Sequence, residues 1–85
     1  MSLLFIHARD GKFNSCDEGA EYDRPEIALA IGIRGAVAIA TDEIFEGERS
    51  AAVEISVERE DGTQLLRSVI ALSVSVLTPE IHATI

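Results

Sequence analysis

Asp23-Arg24-Pro25-Glu26-Ile27-Ala28-Leu29-Ala30-Ile31-Gly32-Ile33-Arg34-Gly35-Ala36-Val37-Ala38-Ile39-Ala40-Thr41-Asp42-Glu43-Ile44-Phe45-Glu46-Gly47 is the stretch that decides the fold. Asp23 is an N-cap candidate, Pro25 suits a first turn where its missing N–H costs nothing, and Glu26 stands where it can reciprocate the cap. Gly47 suits a C′ position and Glu48-Arg49-Ser50 is polar, so a helix from Arg24 to about Glu46 is expected. At roughly 100° per residue, Leu29, Ile33, Ala36, Val37, Ala40 and Ile44 form one stripe, the expected core face. Ile27, Ile31, Ala38 and Phe45 fall nearly opposite, interleaved with Arg34, Thr41 and Asp42. Ala28, Gly32, Gly35 and Ile39 make a smooth third flank, where Gly32 and Gly35 permit close approach of another backbone at about 1 kcal/mol each. A helix apolar on two sides needs a second cover, and a homodimer is the expected one. The alternative is that the C-terminal segment of the same chain folds over it.

Outward from the helix, both flanks read as hairpins. On the N-terminal side, Leu3 to Ala8 is β-prone and ends at Asp10-Gly11, a pair that tolerates positive φ. Lys12-Phe13-Asn14 then returns as a short strand, and Asp17-Glu18-Gly19 makes a turn or bulge before Ala20-Glu21-Tyr22. On the C-terminal side, Val53, Ile55 and Val57 alternate with Glu54, Ser56 and Glu58, a strand with one wet face. Asp61-Gly62 turns the chain again. The run from Leu65 to Leu77 stays β-rich, with Ile70, Leu72, Val74 and Val76 on one parity, and Pro79 ends it. The expectation is an α+β, two-layer β-β-α-β-β domain over residues 1–78, with 79–85 as a tail. One long helix would cover a mainly antiparallel four-stranded sheet of order 2-1-3-4. A long apolar final strand at a sheet edge also calls for a second chain.

Phe5-Ile6-His7-Ala8-Arg9-Asp10-Gly11, Asp17-Glu18-Gly19-Ala20-Glu21, an Ala-rich capped helix and Val53-Glu54-Ile55-Ser56-Val57 with its Asp61-Gly62 hairpin form one pattern. It resembles the DUF6894-type family of small bacterial proteins of unknown function, over roughly residues 3 to 70. The chain departs from that pattern in its helix, where the family carries more Glu and Arg, and in its more apolar C-terminal strand. The resemblance implies the fold outline and supplies no activity.

Composition bounds the rest. With 85 residues the chain can bury only about 60% of its unfolded surface, which leaves room for one thin core and none for an interdomain cleft. Fifteen acidic residues against seven basic ones, a net charge of −8, repel phosphate backbones and anionic headgroups, so neither nucleic acid nor a membrane is an expected partner. The lone Cys16 rules out an internal disulfide framework and fits a reducing, cytoplasmic setting. Residues 27–40 are too short an apolar run to span a bilayer, which needs roughly 20 residues, and Met1 to His7 lacks a basic n-region.

Catalytic signals are sparse. His7 with Asp10, Asp17 and Glu18 could form a divalent-metal or acid/base site, although a hydrogen-bonded strand histidine and solvated turn carboxylates account for the same residues. Cys16 near His7 raises a Cys-His nucleophile for which no orienting group or oxyanion donor can be named. No G-x-S-x-G elbow or phosphate loop is present, and no cofactor is implied. Glu54, Glu58, Glu60 and Asp61 could attract a basic protein surface. The expected function is a soluble, acidic, homo-oligomeric protein-interaction module without catalytic activity, its interface built from Ile27, Ile31, Arg34, Phe45, Val74 and Val76. A small-ligand or metal-binding protein using the His7 region, with minor enzymatic activity conceivable, is the alternative.

Overall fold

The computed structural model describes residues 2–77. Strand β1 (Ser2–Arg9) is followed by β2 (Asn14–Cys16), β3 (Ala20–Tyr22), the helix α1 (Pro25–Phe45), β4 (Ser50–Arg59) and β5 (Gln64–Ser73). One helix packs on an antiparallel sheet of five strands, ordered β2-β1-β4-β5, with β3 also paired to β1. Because β4 occupies one edge of β1 from Leu4 to Arg9, β2 and β3 lie end to end along the other, with His7 opposite Cys16 and Leu4 opposite Ala20.

The expected four strands in the order 2-1-3-4 thus become five, since Ala20–Tyr22 forms a strand of its own beside the return segment. That return segment starts at Asn14, because Asp10 organises the turn before it. Asp10 Oδ1 accepts hydrogen bonds from the backbone N–H groups of Lys12 (2.7 Å) and Phe13 (3.1 Å), an Asx turn that holds Lys12 and Phe13 out of the strand. Gly11 therefore needs no positive φ, whereas Gly62 in the second hairpin adopts +90°. The last strand stops at Ser73, short of Leu77. The Val74 N–H donates to the Arg49 carbonyl (2.8 Å), and Val74 and Val76 lie beyond the last strand. The tail at 79–85 lies outside the described residues.

The helix ends follow the sequence at the C-terminus and depart from it at the N-terminus. Gly47 takes φ +110° while its N–H bonds the Ile44 carbonyl and the Glu48 N–H bonds that of Glu43, a Schellman closure. At the other end Arg24, not Asp23, is the N-cap, and no side chain caps the helix; Pro25 alone sets the first turn.

The larger correction concerns which face is buried. Val53, Ile55 and Val57 of β4 and Leu4 of β1 are fully buried on the helix side, each worth roughly 1.5–3 kcal/mol of transfer free energy. Against them α1 lays Ala28, Gly32, Ala36 and Ala40, one residue per turn along the border of two expected faces: Ala36 and Ala40, with Leu29 packed beside them, belong to the expected core stripe, and Ala28 and Gly32, with Ile39, to the smooth flank. The small stripe lets the helix sit low on the sheet: a Cβ at Gly32 would lie 2.8 Å from Ile55 Cγ2 and 2.9 Å from Ile6 Cγ2. Gly35 has no such neighbour, so only one of the two glycines marks a close approach. With the helix turned this way Val37, expected in the core, is 46% exposed, and Ile27, Ile31 and Phe45 face outward.

Candidate functional site

The face of the sheet away from α1 carries most of the chemistry. Alternation along β1 puts Phe5, His7 and Arg9 there, and the antiparallel register sets them opposite Glu58, Ser56 and Glu54 of β4. Two charged clusters result. Glu54 bridges Arg9 and Arg67, each at 2.7 Å, and the two guanidinium groups hold its carboxyl below the usual range. Beside it His7 Nε2 lies 3.2 Å from Cys16 Sγ and 3.4 Å from Glu58 Oε1, while Ser56 Oγ donates to Glu58 Oε2 at 3.0 Å. A shallow cavity of about 80 Å3 lies among His7, Arg9, Asn14, Glu54 and Glu58, and a wider hollow of about 270 Å3 opens past Phe5, Cys16 and Gly62.

The geometry limits what this cluster can do. A thiol nucleophile needs its base on one ring nitrogen and an orienting acid on the other. Here Cys16 and Glu58 approach the same nitrogen, so the carboxylate competes with the thiol for His7. Burial, with Asp17 and Glu58 nearby, also pushes the Cys16 thiol up, away from thiolate. Among the described residues no three His, Cys, Asp or Glu side chains are arranged to hold a metal.

The four residues singled out at the hairpin do different jobs. Only His7 sits on the open face. Asp17 Oδ1 accepts from the backbone N–H groups of Ile6 (2.9 Å) and Gly19 (3.1 Å), pinning the crossing between β2 and β3. Gly19 adopts φ +84° with the Phe5 ring directly over it. Asp10 turns to the helix side, where Glu43 of α1 stands beside its carboxylate; the pairing lowers the Asp10 pKa and raises that of Glu43. Glu18 is exposed in the loop between β2 and β3. Glu58, which does meet His7, reads in sequence only as part of a wet strand face; the parity of β4 together with its place beside β1 is the signal that could have found it.

Of the acidic stripe expected to attract a basic partner, Glu54 is neutralised within the molecule by its two arginines; Glu58 faces His7 and accepts from Ser56, and Glu60 and Asp61 stand exposed at the hairpin tip.

The outward face of α1 is the reverse. Ile27, Ile31, Val37 and Phe45 are 37%, 49%, 46% and 86% exposed, with Ala30 and Ala38 between them. Arg34 is the one basic residue of the helix and, among the described residues, it joins no salt bridge. No described helix is long and apolar enough to cross a membrane. No protein-family model, curated protein or solved structure matches the chain.

Proposed function

We propose that this protein is a homo-oligomeric interaction module without catalytic activity, acting in the cytoplasm through the outward face of α1. One observation carries the reading: the layer that normally meets water in a two-layer α+β domain is the apolar one. A surface helix usually turns charge outward. Here Ile27, Ile31 and Phe45 lie open along it, and a patch of that kind on a small domain marks an interface. The polar sheet face, by contrast, pairs Arg9 and Arg67 with Glu54, and among the described residues it presents no nucleophile with a separate base and orienting acid.

Light scattering over a dilution series tests the reading. The wild type is expected at dimer mass or above at micromolar concentration, and Ile31→Glu, a change at an exposed position, is expected to give monomer with an unchanged circular-dichroism spectrum. A monomer mass for the wild type throughout would refute it.

A second reading, binding of a small polar ligand in the hollow beside His7, is favoured by the meeting of His7, Cys16 and Glu58 there. A saturable rise in melting temperature with a metabolite or divalent metal, abolished by His7→Ala, would support it, since a ligand at a hundredfold excess over its Kd adds about 2.7 kcal/mol.

A further inference from the structure

The exposed face of α1 has a spacing of its own. Ile27, Ile31, Arg34, Ala38, Thr41 and Phe45 follow one another at intervals of four, three, four, three and four, the seam of a helix built to pack lengthwise on another helix. All but the half-buried Thr41 are exposed, and Thr41 donates its hydroxyl to the Val37 carbonyl (2.8 Å), which satisfies its polar group within the helix. The buried stripe Ala28-Gly32-Ala36-Ala40 is already committed to the sheet, so this seam is a separate surface.

We infer that the occupant of this seam is the same helix of a second copy, packed antiparallel about a two-fold axis; the inference rests on the homo-oligomeric reading above and specifies its geometry. An isologous contact requires the seam to complement itself. In the antiparallel register Ile27 of one copy meets Phe45 of the other, Ile31 meets Thr41, and Arg34 meets Ala38, each layer occurring twice. Large side chains thus face one another at the ends, and the long Arg34 lies over the smallest residue near the centre.

Charge decides between the two directions. Side chains on a helix lean toward its N-terminus. In the antiparallel arrangement that direction carries Arg34 from the level of the partner's Ala38 toward the partner's Asp42, one turn on. Arg34 and Asp42 form no salt bridge within the described chain, and both are exposed beside the seam. Two reciprocal Arg34–Asp42 pairs form across the axis. Parallel packing would instead stack Arg34 on Arg34 and Phe45 on Phe45, setting like charges together at the centre of the interface.

Charge reversal tests the geometry on the full chain. Sedimentation equilibrium would be run on the wild type, R34D, D42R and the double variant R34D/D42R, with circular dichroism showing that each is folded. Each single reversal places like charges across the axis, and the dimer dissociation constant is expected to rise by about tenfold or more; the double reversal restores the pair and is expected to recover near-wild-type association. Tighter association of a neutral R34A variant, which removes a like-charge stack only if Arg34 faces Arg34, would overturn the antiparallel direction in favour of the parallel one. A dimer indifferent to both single changes would overturn the seam and point to the free edge of β5 while leaving the homo-oligomeric reading standing, whereas a wild type that is monomeric throughout would overturn both.

Discussion

Replacing Gly32 by Ala tests how closely α1 approaches the sheet, and replacing Gly35 supplies the control from the same helix, one turn on. In isolation either change should stabilise the helix by about 1 kcal/mol, because Ala has less backbone entropy to lose. At Gly35 a Cβ meets nothing within 4 Å, so that gain should be realised in full. At Gly32 the new Cβ would stand 2.8 Å from Ile55 Cγ2 and 2.9 Å from Ile6 Cγ2. Ile55 is fully buried and belongs to the central strand β4, so neither methyl can yield without lifting the helix or distorting a rotamer. Overpacking of this kind costs about 1–3 kcal/mol, which leaves Gly32→Ala between neutral and about 2 kcal/mol destabilised. The two variants should therefore differ by about 1–3 kcal/mol, with roughly 4–8 °C in Tm for each kcal/mol in a domain of this size. Urea and thermal unfolding at one fixed protein concentration read the difference, the concentration being held because association itself adds stability. Equal stabilisation by both substitutions would refute the close approach.

Three further perturbations have outcomes set by the structure. Asp17→Ala removes the acceptor of the Ile6 and Gly19 N–H groups and should cost about 1–2 kcal/mol by denaturant unfolding, while Asp17→Asn, which keeps an acceptor oxygen, should recover most of it. Glu43 has a folded pKa raised above the ordinary 4.5, so its contribution is fully present below that value and is lost as pH rises through the raised one. Asp10, whose pKa is lowered from 3.8, contributes in the opposite sense, losing its share as pH falls below that value. Glu43→Gln keeps a donor toward Asp10 at every pH, and should flatten the stability profile above pH 4.5, measured as the urea midpoint against pH. Cys16 should alkylate slowly at neutral pH although exposed, and Glu58→Gln should speed the reaction by removing one of the charges that disfavour the thiolate, followed by mass spectrometry.

Elements with a strong local signal were legible in the sequence. The alternation of Val53, Ile55 and Val57 with Glu54, Ser56 and Glu58 gives the central strand and its two faces, and Gly47 gives the helix stop. The rotation of the helix was not legible, for a physical reason: when apolar residues surround a helix, periodicity no longer selects the buried side. Side-chain size decides instead. The sheet accepted the flank of Ala28, Gly32, Ala36 and Ala40 because small residues bring the helix close enough for Ile55 and Ile6 to fill the space beneath it. At the site, His7 could be placed on a strand by its neighbours in sequence, but Glu58 lies fifty-one positions away and meets it only through the pairing of β1 with β4. Asp10 and Asp17 mimic site residues because a carboxylate that accepts two backbone N–H groups and one that would bind a ligand look alike as letters; turn-making used their acceptors.

The same choice of flank links the core to the proposed interface. Had α1 laid Ile33, Val37 and Ile44 squarely on the sheet, those larger side chains would have filled the core, and the helix would have stood farther off. Turning the small stripe inward gives a thin, tightly seated layer and adds Val37 to the outward face that Ile27, Ile31 and Phe45 occupy. A thin core in an 85-residue chain has little stability to spare. Burying that outward face against a second helix would add the apolar area that the monomer's own core lacks. On this view association completes the fold as well as performing the function, so Ile31→Glu should lower the concentration dependence of the melting temperature together with the dimer mass. A variant that became monomeric while keeping a concentration-dependent Tm would show that the two are not coupled.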